Sequence, residues 1–295
     1  MGIKIETWSI AFRNKSGDGI CDSSIYHVLN NGHQGWYADP FLFKKDGKLY
    51  LFAEFFSYRL GRGVISFAEY SKSTNSFGQF KVCLIEDYHL SYPFIFEYQG
   101  DIYMLPECNK SNSLILYKAV DFPCQWEKTS VMMDHIRLVD TTPFIVDSKL
   151  YAITMRLDDE NSLKDKTMLL LRINPLTWKV DGYSEISNDI SVARPGGHVY
   201  SKDGCLFAVT QDCKDEYGKA LNILKICDLK DMKMRLDLIK KIYPDDICVD
   251  SHIDVSGIHT YNYCDEIEVI DIKVYRKSYY RILMKALRLM KIIGG

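Results

Sequence analysis

A strand–turn–strand phrase returns along this chain at nearly constant spacing. In its first copy, residues 36–54 (WYADPFLFKKDGKLYLFAE), two apolar runs flank Asp46 and Gly47, a pair typical of hairpin turns. Further copies cover residues 91–107, 140–154, 194–211 and, more faintly, 257–274. The prolines at 40, 93, 143 and 195 set intervals of 53, 50 and 52 residues. A strand-only repeat of about 40 to 50 residues is typical of a β-propeller with four strands per blade.

The two ends of the chain are expected to share one blade. Residues 5–13 and 25–29 resemble two strands that precede the first full repeat, whereas the fifth repeat ends after two strands, near Val274. We therefore predict an all-β, five-bladed β-propeller of four-stranded antiparallel blades, closed by the N-terminal strands, over residues 1–275. Residues 228–241 also fit a helix, but the repeat favours an outer strand there.

The last residues, 276–295, form a tail of different composition. The segment RKSYYRILMKALRLMK contains no acid, and its basic residues recur every three or four positions, which predicts a short amphipathic C-terminal helix. The segment is too short and too charged to span a bilayer. Two interpretations stay open: peripheral contact with an anionic membrane surface, or packing across the base of the propeller or against a second subunit.

Composition narrows the class of protein. The formal net charge of -2 argues against a nucleic-acid partner, which normally meets a basic domain. The nine cysteines are odd in number and lack a CxxC pair, as expected for free thiols in a reducing cytosol. The first 14 residues contain no long apolar stretch, so we expect no signal peptide. These observations predict a cytoplasmic protein. Under the membrane interpretation of the tail, it would lie at the periphery of the inner face of the cell membrane.

Polar residues occupy equivalent places in the repeat. Inner strands of a propeller begin near its axis, so the residues just before each repeated Pro-Phe should surround one cavity. These residues are Asp39, Tyr92, Asp140, Arg194 and, in the fifth copy, His259. The ends of the second strands add a second layer, Glu54, Glu107, Gln211 and Asp212. Such convergence favours a functional site. For each acid alone, a turn cap or a tie between blades is an equal alternative.

An arginine in this cavity predicts an anionic ligand. Arg194 would keep Asp39 and Asp140 ionised and would bind phosphate or carboxylate. His198 and His259 are candidates for a base or for donors to phosphate, and equally for buried core histidines. We predict no cofactor. A divalent metal is a minor alternative, because the acid pairs at 158–159 and 245–246 resemble metal-binding carboxylates but are usually solvated on propeller loops.

Several longer phrases carry a family resemblance. In chain order they are ADPFLF, HLSYPFIFEYQGDIYMLPE, DTTPF, ARPGGH, QDCKDEYG and GIHTYN. Together they resemble the N-terminal propeller domain of plant glucosamine inositolphosphorylceramide transferases and its stand-alone relatives in bacterial polysaccharide gene clusters. ADPF more distantly resembles the first-blade motif of five-bladed furanosidase and invertase-like glycoside hydrolases. In the plant enzymes the recognised transferase domain is a separate C-terminal unit, for which we expect no room in these 295 residues.

Both resemblances imply a carbohydrate-active protein with its site at the mouth of the central channel. In the hydrolases the base comes from blade one, a tuning acid from blade three and the proton donor from blade four. Asp39 and Asp140 match the first two, whereas Arg194 stands where the donor glutamate would be. We therefore expect Asp39 as base or orienting carboxylate, Glu107 and Asp140 as hydroxyl binders, and Arg194 as a phosphate clamp. Trp36 and Tyr217 are candidates for stacking on sugar rings, or for core positions.

Three functions follow from this reading. The first is a glycosyltransferase, or an essential domain of one, in bacterial cell-surface polysaccharide or glycolipid assembly. Its donor would be a sugar nucleotide or lipid-linked sugar, and its acceptor a glycan or glycolipid. The second is a five-bladed glycoside hydrolase with Glu107 or Glu54 in the acid role. The third is a non-catalytic glycan-binding module.

Overall fold

Each copy of the repeat becomes one antiparallel sheet in the computed structural model, which describes residues 4–15, 20, 24–157, 166–290 and 292–293. The predicted five-bladed propeller with four-stranded blades and one short C-terminal helix is confirmed. Two blades divide one strand position between two short strands. These are the outer position of the first blade and the inner position of the fourth.

The strands follow the repeat in chain order. The first blade contains β3 (Gly35–Lys45), β4 (Lys48–Ser57), β5 (Arg62–Ser71), β6 (Ser76–Phe77) and β7 (Lys81–Leu84). The second contains β8 (Ser91–Tyr98), β9 (Asp101–Glu107), β10 (Ser113–Asp121) and β11 (Gln125–Asp134). The third contains β12 (Leu138–Val146), β13 (Lys149–Leu157), β14 (Lys166–Asn174) and β15 (Lys179–Ser187).

The fourth and fifth blades complete the ring. The fourth contains β16 (Arg194–Pro195), β17 (Tyr200–Lys202), β18 (Cys205–Asp212), β19 (Ala220–Lys230) and β20 (Lys233–Ile242). Residues 228–241 form no helix: residues 228–230 end β19, and the predicted outer strand is β20, which begins at Lys233. The fifth blade contains β21 (Gly257–Cys264), β22 (Ile267–Lys277), β1 (Lys4–Asn14) and β2 (His27–Val28).

The N-terminal strand closes the ring, as predicted. β1 pairs with β22 along its whole length, from Lys4 opposite Lys277 to Asn14 opposite Ile267. A buried apolar cluster between the fifth and first blades, including Ile10, Leu51 and Val269, holds the seam. Similar clusters fill the other four junctions between neighbouring blades. Because burial of each such side chain contributes about 1.5–3 kcal/mol, the junctions account for much of the stability of the ring.

Four inner strands carry a bulge at the same place. The pairing register slips between Ala38 and Phe41 in β3, and at matching places in β8, β12 and β21. At three of these bulges Asp39, Tyr92 and Asp140 adopt left-handed backbone, with φ of 50°, 45° and 54°. Left-handed backbone in non-glycine residues is uncommon and strained, and it persists only where its surroundings enforce it. The bulge re-aims side chains and N–H groups, so it places these residues at the channel.

The tail forms helix α1 (Tyr279–Leu289) against the ring. The Ser278 side chain caps its first turn by accepting a hydrogen bond from the Arg281 N–H. Arg276 and Lys277, which we had grouped with the tail, belong to β22. No helix among the described residues is long and apolar enough to cross a membrane.

Candidate functional site

The bulges bring the predicted inner-strand residues to one end of the ring, which we call the mouth. This is the end at which β3 begins and β4 ends, since Gly35 pairs with Ser57 there. Glu54 and Glu107 lie opposite the residues that precede the first two bulges, so the predicted second layer reaches the same end. In the fourth blade, Arg194 lies just before the break between β16 and β17, where the other blades have the bulge.

Asp271 on β22 organises one half of the polar cluster. One of its carboxylate oxygens accepts the backbone N–H groups of His259 at 3.1 Å and Thr260 at 2.9 Å. The other accepts the Asp39 N–H at 2.9 Å and lies 2.5 Å from Nδ1 of His259. We call Asp39, His259, Thr260 and Asp271 the inner network.

Asp39 joins the same network from the first blade. Its carboxylate accepts the Thr260 hydroxyl at 2.9 Å and the Tyr92 N–H at 3.1 Å, and it lies 3.6 Å from Nε2 of His259. The indole of Trp8 stacks on the His259 ring at 3.9 Å between centroids. The first and fifth blades, the fifth including the N-terminal strand, therefore meet at one buried imidazole. The second blade joins them through the Tyr92 N–H on Asp39.

The inner network resembles a metal site in its donors but is saturated by hydrogen bonds. Asp39, His259 and Asp271 offer ligand atoms that lie within 4.8 Å of one another. Both Asp271 oxygens already accept two protons each, and the Thr260 hydroxyl occupies one Asp39 oxygen. Charge-assisted hydrogen bonds satisfy such carboxylates without a cation. We therefore describe the three as an ion-pair network.

Arg194 organises the other half of the cluster. Its Nε lies 2.5 Å from Asp140, and its terminal nitrogen Nη2 lies 3.6 Å from Oε2 of Glu107. Gln211 donates to the same Asp140 oxygen at 2.9 Å. The guanidinium covers the ring of Tyr217 at 4.7 Å. We call Glu107, Asp140, Arg194, Gln211 and Tyr217 the outer network. Tyr217 is 40% exposed and the Arg194 side chain 18%, so this half opens to solvent.

Burial separates the protonation states of the acids. It raises the pKa of Asp39 to about 6, although the nearby His259 acts in the opposite direction. Burial and the charge of Asp140 hold the pKa of Glu107 well above its usual range, and burial does the same for Glu54. For His259, burial lowers the pKa, but Asp271 and Asp39 outweigh it and raise the pKa overall. The site thus places an aspartate beside glutamates whose pKa values are raised further, a separation of the kind that general acid–base chemistry uses.

Glu54 lies beside a neutral histidine. His89 Nε2 is 3.4 Å from Oε1 of Glu54, without hydrogen-bond geometry. The His89 Nδ1 accepts the Gly63 N–H at 2.9 Å, which fixes it as an acceptor. Burial lowers the pKa of His89 to about 4, so the ring stays uncharged at neutral pH. Glu54 is consequently a buried acid without a cationic partner among the described residues.

Other predicted site residues lie apart from both networks or act as ties. The Tyr92 hydroxyl hydrogen-bonds Thr142 at 2.8 Å and so joins the second and third blades. His198 packs edge-on against Phe94, and burial lowers its pKa to about 4, so it carries no charge for phosphate. The Asp212 carboxylate binds Lys241 at 2.6 Å on the fourth blade.

Of the two aromatic residues predicted to stack on sugar rings, one lies in the outer network, and the one predicted metal-binding acid pair that the structure describes lies outside both networks. Trp36 stacks on Phe56 at 4.8 Å, whereas Tyr217 belongs to the outer network. Of the two acid pairs weighed as metal ligands, Asp245 and Asp246 are exposed, and the Asp246 carboxylate accepts the Tyr243 N–H. Asp158 and Asp159 lie outside the described residues.

The sequence of this chain matches a known family. A family model described as the N-terminal part of glucosamine inositolphosphorylceramide transferase 1 matches residues 22–240. The chain belongs to this family. It is 34% identical over 233 residues to glucosamine inositolphosphorylceramide transferase 1 of Arabidopsis thaliana, covering 75% of this chain and 30% of that protein. The protein of the same name from Oryza sativa subsp. indica is 32% identical over 193 residues, covering 64% of this chain and 26% of that protein. The chain thus spans less than a third of these relatives.

Solved structures similar to this fold include two α-L-arabinofuranosidases. An α-L-arabinofuranosidase from Podospora anserina has a TM-score of 0.60 at 9% identity, covering 92% of this chain and 98% of that one. One from Lactobacillus brevis has a TM-score of 0.57 at 14% identity, covering 86% of this chain and 87% of that one. At such identities the likeness shows the propeller fold alone.

Three residues of this site, Asp271, Thr260 and Trp8, were not predicted from the sequence. Asp271 and Thr260 complete the inner network, and Trp8 covers His259. The signal for Asp271 was a charged residue inside the otherwise apolar run VIDI. Trp8 gave no local signal, because it reaches the site only when the N-terminal strand closes the ring.

Proposed function

We propose that this propeller is a glycosyltransferase, or an essential domain of one, that acts in bacterial cell-surface polysaccharide or glycolipid assembly at the cytosolic membrane face. The observation that carries the proposal is the outer network, in which buried acids surround one arginine that reaches solvent beside the exposed Tyr217, in a family named for glycolipid transferases. Carboxylates accept hydrogen bonds from sugar hydroxyls, and an aromatic ring beside them stacks on a sugar face.

A phosphate-bearing sugar donor fits the charge of the outer network. Nε of Arg194 is engaged by Asp140, while the far end of the guanidinium faces Glu107, whose pKa is raised by burial and by the charge of Asp140. The guanidinium has five N–H donors, so donors remain for a phosphate oxygen. The donor sugar would then rest against Tyr217, with its hydroxyls toward Asp140 and Glu107. In Asp39 the Thr260 hydroxyl occupies Oδ1, whereas Oδ2 accepts the Tyr92 N–H. Deprotonated above about pH 6, Asp39 would act through Oδ2 as base or orienting carboxylate.

A glycoside hydrolase is the second candidate, and one observation favours it. Glu107 lies at the mouth with its pKa raised by burial and by the charge of Asp140, so it fits a proton donor supplied by the second blade in place of the fourth. In that case Asp39 would activate water, and Arg194 would keep Asp140 ionised.

The deciding experiment incubates purified protein with a panel of sugar nucleotides and polyprenyl-phosphate sugars, with and without glycolipid acceptors. We expect sugar transfer to depend on the acceptor and to fall at least about 100-fold in Asp39→Asn, the usual scale for losing a general base. Asp265→Asn, a surface change at the exposed Lys44 pair, is the matched control and should leave the rate unchanged.

Three other outcomes separate the alternatives. Release of free sugar from a glycan without any donor supports the hydrolase. Saturable binding without turnover, unchanged by Asp39→Asn, supports a non-catalytic glycan-binding module. Neither turnover nor binding of any sugar phosphate contradicts the proposal.

A further inference from the structure

Helix α1 turns basic side chains toward the ring and apolar side chains toward solvent. Arg288 donates to the Tyr58 carbonyl at 3.0 Å and Arg281 to the Glu6 carbonyl at 3.4 Å, while Met284 between them is buried. The opposite side is apolar and exposed. Ile282, Leu283 and Leu289 are 46%, 52% and 76% exposed, and Met290 and Ile292 continue the same surface. This inverts the usual arrangement of a surface helix, whose apolar stripe faces the core.

The ring is built to hold α1 in this orientation. Gly61 has a φ of +72°, and a Cβ there would meet the Arg288 guanidinium. Loop 58–61 therefore offers both the carbonyl and the space that this arginine needs. Fixing the helix by its charged side leaves the apolar side without a partner among the described residues.

α1 stands at the mouth of the ring. It follows β22, whose end at Lys277 pairs with Lys4, and it contacts the loop that follows β4. Glu54 lies near the end of that same strand. The outward surface of α1 and the outer network therefore share one end of the propeller, opposite the hairpin turns such as the one containing Leu176.

The chemistry around this surface indicates what covers it. Residues 276–291 contain no acid. Lys285 on α1 and Arg59 on the adjoining loop are exposed, and Tyr275 and Tyr279 are exposed beside the start of the helix. Apolar side chains with basic residues and tyrosines at their border match the layered chemistry of an anionic bilayer, from acyl chains to headgroups.

We propose that this surface, comprising Ile282, Leu283, Leu289, Met290 and Ile292, docks in the surface of an anionic lipid bilayer and turns the mouth of the ring toward the membrane. The helix lies in the interface without crossing it. A site that faces the bilayer reaches headgroups directly, so soluble donors would enter from the rim. This inference goes beyond sugar transfer and is tested without turnover.

The test is co-sedimentation of the full chain with phosphatidylcholine vesicles, with and without phosphatidylglycerol. We expect binding to the anionic vesicles only. The double variant Ile282→Ser/Leu289→Ser should bind about 10- to 100-fold more weakly, because it removes two aliphatic side chains that the bilayer would bury. Lys285→Gln should weaken binding about fivefold. Leu176→Ser, an 84% exposed leucine at the opposite end, is the matched control and should bind like the parent.

Orientation is read by hydrogen exchange with and without the same vesicles. Protection should appear in α1 and in loop 58–61 and be absent from the hairpin turn at residues 174–179. Unchanged sedimentation of the double variant, or protection at that turn, overturns the proposal. It is also overturned if the parent binds no vesicles and forms a dimer that the double variant does not form. The surface would then bind a second copy of the chain.

Discussion

The inner and outer networks use the same residue types, yet one is closed and the other open. In the inner network both oxygens of Asp271 are fully engaged, and His259 lies beneath Trp8. In the outer network Oε2 of Glu107 has no hydrogen-bond partner, and Arg194 reaches solvent. Acids and cations at one mouth therefore have two roles. The saturated network holds the ring together, and the incompletely saturated one leaves N–H donors of Arg194 for a ligand.

The position of each network in the ring explains the difference. The inner network lies at the seam, where strands from both chain ends must be joined, and its partners come from the first, second and fifth blades. The outer network lies across the second, third and fourth blades, whose junctions are made by consecutive segments of chain. Substitutions in the two networks should therefore affect different properties.

The largest expected effect is on stability, from Asp271→Ala. The change leaves three backbone N–H groups and the imidazole without their acceptor, so the free energy of unfolding should fall by about 3–5 kcal/mol. Urea unfolding followed by circular dichroism measures it. Asp265→Asn, which removes the exposed charge pair with Lys44 and still suits the left-handed backbone of this turn, should change stability by less than about 0.5 kcal/mol. A similar small loss in Asp271→Ala would show that the inner network does not hold the seam.

The next largest effect is on ligand binding, from Arg194→Ala. The variant loses the charge-assisted contact to the donor phosphate, so affinity for the sugar phosphate should fall by about 2–5 kcal/mol. Arg194→Lys should restore only part of it, because an ammonium lacks the planar two-pronged donor geometry. Calorimetric titration gives the affinities, and the melting temperature is followed in parallel because Asp140 loses its partner. Undiminished binding by the alanine variant would make Arg194 a tie between blades and would remove the argument for phosphate.

A smaller effect concerns pH and Asp39. Its pKa in the folded protein is about 6, above its ordinary 3.8, so between these values the folded state keeps a proton that the unfolded chain has released. Stability attributable to Asp39 should therefore fall by about 2–3 kcal/mol as the pH rises through this window, and stay level above it. Urea unfolding of the parent and Asp39→Asn across the window measures the difference. Parallel curves for the two proteins would rule out a buried titrating Asp39.

The smallest effect is expected from Thr260→Val, which sharpens the assignment of the inner network. The variant removes one hydroxyl donor to Asp39 and should cost about 1–2 kcal/mol. That hydrogen bond also lowers the pKa of Asp39, so its loss should move the pH transition upward. An unchanged midpoint would mean that Thr260 does not control Asp39.

The repeat made the fold and half of the site predictable. A shared bulge places four predicted residues at the channel. Three of them, Asp39, Tyr92 and Asp140, precede the repeated Pro-Phe, and His259 lies at the same place in the fifth copy, which lacks it. In the third blade the bulge lies two residues earlier relative to the proline than in the first. The choice of Asp140 therefore depended on its residue type rather than on alignment to Pro143.

The remainder depended on contacts that no local pattern encodes. The inner network needs Asp271 from a second strand, and the alternation of buried faces, not a motif, directs that side chain inward. Asp212 follows Gln211 on β18, so it points to the other face of the strand and binds Lys241. The inward turn of the arginines on α1 depends on carbonyls of residues 6 and 58, which are distant in sequence.

The most direct test of the account is a crystal structure of the chain with the sugar nucleotide or lipid-linked sugar that binds best in the panel. We predict the sugar against the exposed Tyr217 ring, its hydroxyls on Glu107 and Asp140, the phosphate on the free nitrogens of Arg194, and the inner network unchanged. A ligand bound elsewhere on the propeller, or a phosphate that leaves Arg194 untouched, would contradict the assignment of the outer network as the site.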